Sequence, residues 1–69
     1  MYIFKKELKK ELLNGMTIRN IANTIGVTEG YISQVLNGKK ECSKLVAYCL
    51  CKIFDSELEI EDCFERNDK

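Results

Sequence analysis

The fold turns on one stretch, Thr17-Ile18-Arg19-Asn20-Ile21-Ala22-Asn23-Thr24-Ile25-Gly26-Val27-Thr28-Glu29-Gly30-Tyr31-Ile32-Ser33-Gln34-Val35-Leu36. Thr17 has the side chain of a helix N-cap. Ile18, Ile21, Ala22 and Ile25 then follow the i, i+3, i+4, i+7 spacing of an amphipathic helix. Gly26 ends that helix, because glycine takes the left-handed conformation of a helix C-terminus without steric cost. Val27 is apolar and isolated between two helix signals, so it reads as a plug of the turn into the core. Thr28 caps a second helix, whose Ile32, Val35 and Leu36 turn inward. Glu29, Gly30, Tyr31, Ser33 and Gln34 are left for its outward face. Ala22 is small where the two helices must approach closely.

The flanks supply the rest of the core. Upstream, Phe4, Leu8 and Leu12 recur every four residues, which predicts a helix over about Tyr2 to Leu13, stopped by Asn14-Gly15. Met16 returns as an apolar residue beyond that stop. Downstream, Asn37-Gly38 closes the third helix and is followed by Lys39 and Lys40. Ser43 caps a fourth helix that runs to about Phe54 and carries Leu45, Val46, Cys49, Leu50 and Ile53 on an apolar face. A short fifth helix is expected from about Glu59 to Phe64, with Ile60, Cys63 and Phe64 turned inward. The charged residues 65–69 read as a frayed end. The expected fold is therefore all-α, a compact five-helix bundle in one domain over 1–69, with its core at about 4–64.

A chain of 69 residues is close to the size where one hydrophobic core is marginal, and dimerisation is one way to add buried surface. With 45% apolar and 32% charged residues, the composition is that of a globular domain rather than a disordered tail. No apolar run approaches the roughly 20 residues that span a bilayer. The opening Met1-Tyr2-Ile3-Phe4-Lys5-Lys6-Glu7 lacks the charged-then-apolar order of a signal peptide, so a cytoplasmic location is expected. Reduced thiols follow from that for Cys42, Cys49, Cys51 and Cys63. There is no histidine and no CxxC pair. Cys49 and Cys51, two apart on a helix, point about 200° apart around its axis. The cysteines therefore read as small buried hydrophobes rather than as metal ligands, and no metal or cofactor is expected.

The net charge of zero hides a split. Residues 1–40 hold seven basic and three acidic side chains, a net +4, and residues 41–69 hold four and eight, a net −4. One half of the chain can face a polyanion while the other stays away from it. Without histidine, a phosphate-binding glycine loop or a nucleophile–base pair at useful spacing, an enzyme is not expected.

Two short helices around a tight glycine turn describe a helix-turn-helix, in which the second helix enters the major groove and the first braces across the backbone. Met16-Thr17, Ile21-Ala22, Gly26-Val27-Thr28, Ile32-Ser33, Asn37-Gly38-Lys39 and the closing Ile60-Glu61-Asp62-Cys63-Phe64 carry a resemblance to the Cro/lambda-repressor (XRE-like) helix-turn-helix family, over about residues 4–64. Ile18 stands where that pattern often has Gln, and Leu36 where it often has Glu. The resemblance implies a lambda-repressor-like bundle and a transcriptional regulator, of the phage or mobile-element repressor type, bound to double-stranded DNA as a homodimer.

By position, Glu29, Gly30, Tyr31 and Gln34 are the candidates for base contact. Gln34 can pair bidentately with adenine, and Glu29 can accept from cytosine. Gly30 reads no base but allows close approach. Thr17, Arg19, Thr28, Ser33, Lys39 and Lys40 are the candidates for phosphate contact, with Asn20 and Asn23 as additions, and Lys5, Lys6, Lys9 and Lys10 supply a long-range field. No small-molecule ligand is expected. Tyr48, Phe54 and Leu58 are the expected self-association surface. The competing reading is a protein-interaction module of the same fold, an antitoxin-like partner with weak or no DNA binding, which Ile18, Glu29 and the neutral overall charge favour.

Overall fold

The computed structural model describes residues 1–67. The order is strand β1 (Tyr2–Phe4), a 3-10 turn (Lys6–Leu8), helices α1 (Lys9–Leu13), α2 (Ile18–Ile25), α3 (Glu29–Leu36), α4 (Lys44–Phe54) and α5 (Ile60–Cys63), and strand β2 (Phe64–Arg66). Among the described residues the molecule is mostly helical, with five α-helices and a two-stranded antiparallel sheet. No described helix is long and apolar enough to cross a membrane.

The sheet corrects the all-α expectation at both ends of the described chain. Tyr2 is opposite Arg66, Ile3 opposite Glu65 and Phe4 opposite Phe64. On its other side Tyr2 exchanges two backbone hydrogen bonds with Cys42, each 2.9 Å. Tyr2, Ile3 and Phe4 are β-branched or aromatic and suit a pleated, half-buried position. Their backbone groups are satisfied by segments far away in sequence, a pairing that a four-residue spacing of apolar residues does not reveal. The expected helix over Tyr2 to Leu13 is thus a strand, a 3-10 turn and a five-residue helix. Phe64–Arg66 are strand rather than helix end or frayed tail, and Asn67 donates its backbone N–H to Met1 at 2.8 Å. Residues 68 and 69 of the expected charged end lie outside the described residues.

The central helices begin where their caps place them. Thr17 Oγ1 accepts from Asn20 N at 3.1 Å, Thr28 Oγ1 from Tyr31 N at 3.1 Å, and Ser43 Oγ from Val46 N at 3.3 Å. Gly26, with φ +89°, closes α2, and its N–H and that of Val27 both donate to the Ala22 carbonyl. α5 is closed at its start by the Asp62 carboxylate, which accepts from Glu59 N at 2.8 Å.

The core is one cluster that runs from Phe4 to Phe64 and draws on every helix-bearing segment from α2 onward. Ile21 and Ala22 come from α2, Ile32, Val35 and Leu36 from α3, Ala47, Leu50 and Cys51 from α4, and Ile60 and Cys63 from α5. Leu8, Leu12, Met16, Ile18, Ile25 and Val27 pack around it, half-buried. Phe4 is buried in it and joins two aromatic contacts. Its ring meets Phe64 edge-on at 5.3 Å and Phe54 at 6.0 Å, separations at which aromatic pairs attract beyond their buried area.

α4 is rotated relative to the apolar face read from its sequence. Ala47 and Cys51 are buried, whereas Leu45 is 71% exposed and Cys49 only half-buried. Leu50 is buried and Val46 and Ile53 pack against the core as expected, but Leu45 and Cys49 lie off the side of α4 that α2, α5 and β1 cover. Phe54 and Leu58, expected on a self-association surface, are packed against the core, while Tyr48 is exposed.

Phe4→Ala removes the ring common to both aromatic contacts, and the expected loss is about 3–5 kcal/mol of folding stability. Urea unfolding followed by circular dichroism measures it. A loss below about 1 kcal/mol contradicts the central role given to this side chain.

Candidate nucleic-acid interface

Helical phase decides what α3 can present. At 100° per residue, the buried Ile32, Val35 and Leu36 define one side of the helix, and Gly30, Ser33, Gln34 and the C-cap Asn37 lie on the opposite side. Glu29 and Tyr31 fall on the two flanks. Gly30 and Gln34 are exposed, and Ser33 and Asn37 half-buried. A Cβ built on Gly30 meets no atom within 4 Å, so nothing within the protein fills the space in front of it.

The stripe is tied to the N-terminal segment through a contact that the sequence reading missed. Lys9 Nζ donates to Asn37 Oδ1 at 2.8 Å, and Asn37 Nδ2 donates to Ser33 Oγ at 3.5 Å. Lys9 is thus a fixed partner of the α3 C-terminus rather than a distant source of field. Asn37 reads in the sequence only as a helix stop, and no local signal links it to a lysine 28 residues earlier. Lys5 is likewise engaged, donating from Nζ to the Glu61 carbonyl at 3.0 Å.

The expected base-contact residues do not form one group. Gln34 and Gly30 share the outward stripe. Tyr31 is half-buried against the core, with Lys40 Nζ 5.6 Å from its ring centroid, and burial raises its phenol above the ordinary value. Glu29 is turned toward α2, where its Oε2 accepts from Arg19 Nε at 3.3 Å.

The expected phosphate-contact residues are similarly divided. Thr17 and Thr28 each spend a hydroxyl lone pair on a cap, which leaves the O–H able to donate outward. Arg19 is paired with Glu29. Ser33 accepts from Asn37. Lys39 and Lys40 are exposed in the turn after α3, where Gly38 takes φ +73° and lies 3.7 Å, measured from a built Cβ, from Lys6. Asn20 and Asn23 are exposed on α2. The exposed side of α2, α3 and the turn after it thus carries hydrogen-bond donors and a few cations.

The thiols belong to the core. Cys42, Cys51 and Cys63 are each at most 1% exposed. Burial pushes the Cys42 thiol up to about 11 and, together with the neighbouring Cys63 thiol, pushes Cys51 up to about 12. Cys63, in hydrogen-bond contact with Cys51, is raised by burial as well. Cys51 Sγ also donates to the Glu59 carbonyl at 3.6 Å. Among the described residues no group of three or more His, Cys, Asp or Glu is placed to hold a metal ion, and there is no pocket.

Comparison with protein-family models gives no match, and comparison with curated proteins and with solved structures gives none either.

Two outcomes test this description. Gly30→Ala fills open space in the first turn of α3 without changing the sign of φ, so it should stabilise the domain by up to about 0.5–1 kcal/mol. A thermal melt should show a midpoint higher by several degrees; a lower midpoint means that the methyl group meets something. In native protein at neutral pH, an aromatic disulfide reagent should titrate the half-buried Cys49 first, and Cys42, Cys51 and Cys63 only on unfolding. Rapid reaction of all four thiols in folded protein contradicts the burial of that group.

Proposed function

We propose that the chain is a sequence-specific DNA-binding domain of a transcriptional regulator, of the Cro/lambda-repressor type that its residues 4–64 resemble. α3 enters the major groove and α2 braces against the phosphate backbone. The observation that carries this reading is the outward stripe of Gly30, Ser33, Gln34 and Asn37 on α3, set opposite the helix's buried face and open in front of Gly30. A helix that lies in the groove needs an uncluttered polar face with an amide able to pair with adenine. Thr17, Thr28, Ser33, Lys39 and Lys40 contact phosphates, Gln34 reads a base, and Gly30 permits the approach.

Few cations flank α3, so a single domain binds modestly. A two-fold dimer on half-sites about 34 Å apart raises the affinity. A repressor of phage or mobile-element type, working in a bacterial cytoplasm, is the setting that the resemblance implies.

Fluorescence anisotropy with duplex DNA tests the proposal. Log affinity should fall linearly with log salt, with a slope of about −2 to −3 per subunit for two or three neutralised phosphates. Gln34→Ala should reduce preference among sequences more than it reduces non-specific binding. Absence of binding to any duplex at about 50 mM salt refutes the reading.

One observation favours a second reading, a protein-interaction module of the antitoxin-partner kind. Leu45 and Tyr48 lie three apart on α4 and are 71% and 51% exposed. Retention of a protein partner by a chain that binds no DNA, lost in Leu45→Ser, supports that alternative.

A further inference from the structure

We infer that Arg19 and Glu29 act as one unit at this interface: Arg19 neutralises Glu29 and links it to a phosphate, and the Glu29 carboxylate selects a cytosine. The inference rests on the DNA-binding reading of α2 and α3 and specifies which residue sets part of the preferred sequence.

The pair joins the N-terminal turns of the two helices. Arg19 is the second residue of α2 and Glu29 the first of α3, with Nε and Oε2 3.3 Å apart. The side chains are 74% and 56% exposed. An exposed pair of this kind is largely screened by solvent and adds little to folding. Glu29 already has a favourable place in the first turn of α3, at the positive end of the helix dipole, without any partner. Stability therefore gives Arg19 little reason to be there.

Charge gives a better one. An unpaired carboxylate at the leading end of a groove-binding helix meets phosphates on both sides and repels them. Paired with Arg19, it carries no net charge into the groove. Arg19 uses Nε on Glu29 and keeps the donors of its two terminal nitrogens, which can reach a phosphate. Glu29 uses Oε2 and keeps Oε1 as an acceptor.

The chemistry of that acceptor selects the base. A carboxylate only accepts, so it needs a donor on the base edge. In the major groove, cytosine N4 and adenine N6 donate, but adenine sets the N7 acceptor beside N6 and cytosine sets none beside N4. Glu29 is thus matched to cytosine. Gln34, with both a donor and an acceptor, is matched to adenine.

Selection of bound duplexes from a random pool, followed by anisotropy on the selected site and its single-base variants, tests this. For the wild-type protein, one C·G pair in each half-site should cost about tenfold in affinity when changed. Glu29→Gln should abolish that preference, or move it to A·T, and should tighten binding to unrelated duplexes. Arg19→Ala should weaken binding by about tenfold when Glu29 is present and by no more than about threefold in the Glu29→Gln background, because the charge to be neutralised is then gone. If Glu29→Gln tightens all duplexes by the same factor and leaves every base preference intact, Glu29 is only a repulsive charge. The inference then fails while DNA binding stands. If the wild-type protein binds no duplex, the inference falls together with the reading on which it rests. Both side chains are exposed, and unchanged thermal midpoints confirm that the variants fold.

Discussion

Phe4 holds the two ends of the described chain to its middle. Its backbone belongs to β1, which is paired with β2 on one side and bridged to Cys42 on the other. Its ring touches Phe54 at the end of α4 and Phe64 at the start of β2. In a domain of this size, where folding leaves only a few kcal/mol of net stability, one side chain that joins α4 to the sheet carries a large share of the cooperativity. The position of α3 depends on it indirectly. Ile32, Val35 and Leu36 anchor α3 in the same cluster, so the outward stripe faces where it does because the inward one has a fixed seat.

The helical part of this arrangement is written locally. Thr17, Thr28 and Ser43 cap the helices that they precede, Gly26 takes the left-handed turn, and Ile21, Ala22, Ile32, Val35 and Leu36 are buried as their spacing demands. Each of these signals acts within one or two helical turns. The sheet is not local. Tyr2-Ile3-Phe4 is too short to show an alternation, and its partner lies at the other end of the chain. The rotation of α4 was equally hidden, since Leu45 and Cys49 are as apolar as Ala47 and Cys51, and only the surrounding elements decide which pair is covered.

The candidate site shows the same division. The sequence is sufficient to place Gln34 and Gly30 outward on α3, because phase within one helix settles it. It is silent on the pairing of Lys9 with Asn37 and of Arg19 with Glu29, which depends on how separate segments meet. Those contacts change the chemistry. Two residues that seem independent, one basic for phosphate and one acidic for a base, form a neutral couple. A lysine counted as part of a diffuse positive field is a hydrogen-bond donor with a fixed acceptor.

The pairing of β1 with β2 also bears on the order in which the molecule assembles. Phe4 and Phe64 lie sixty residues apart in sequence and face each other across the sheet. A contact of that span closes a large loop and comes late, whereas the turn between α2 and α3 closes a short one. During synthesis the α2–α3 hairpin can form as soon as its own residues have emerged. The first strand can meet Cys42 and Phe54 earlier, but its ladder stays incomplete and Phe4 only partly covered until Phe64–Arg66 arrive. Three adjacent apolar residues with an unpaired edge are a natural point of capture by other nascent chains, so the same strand that completes the folded domain is a vulnerable segment beforehand.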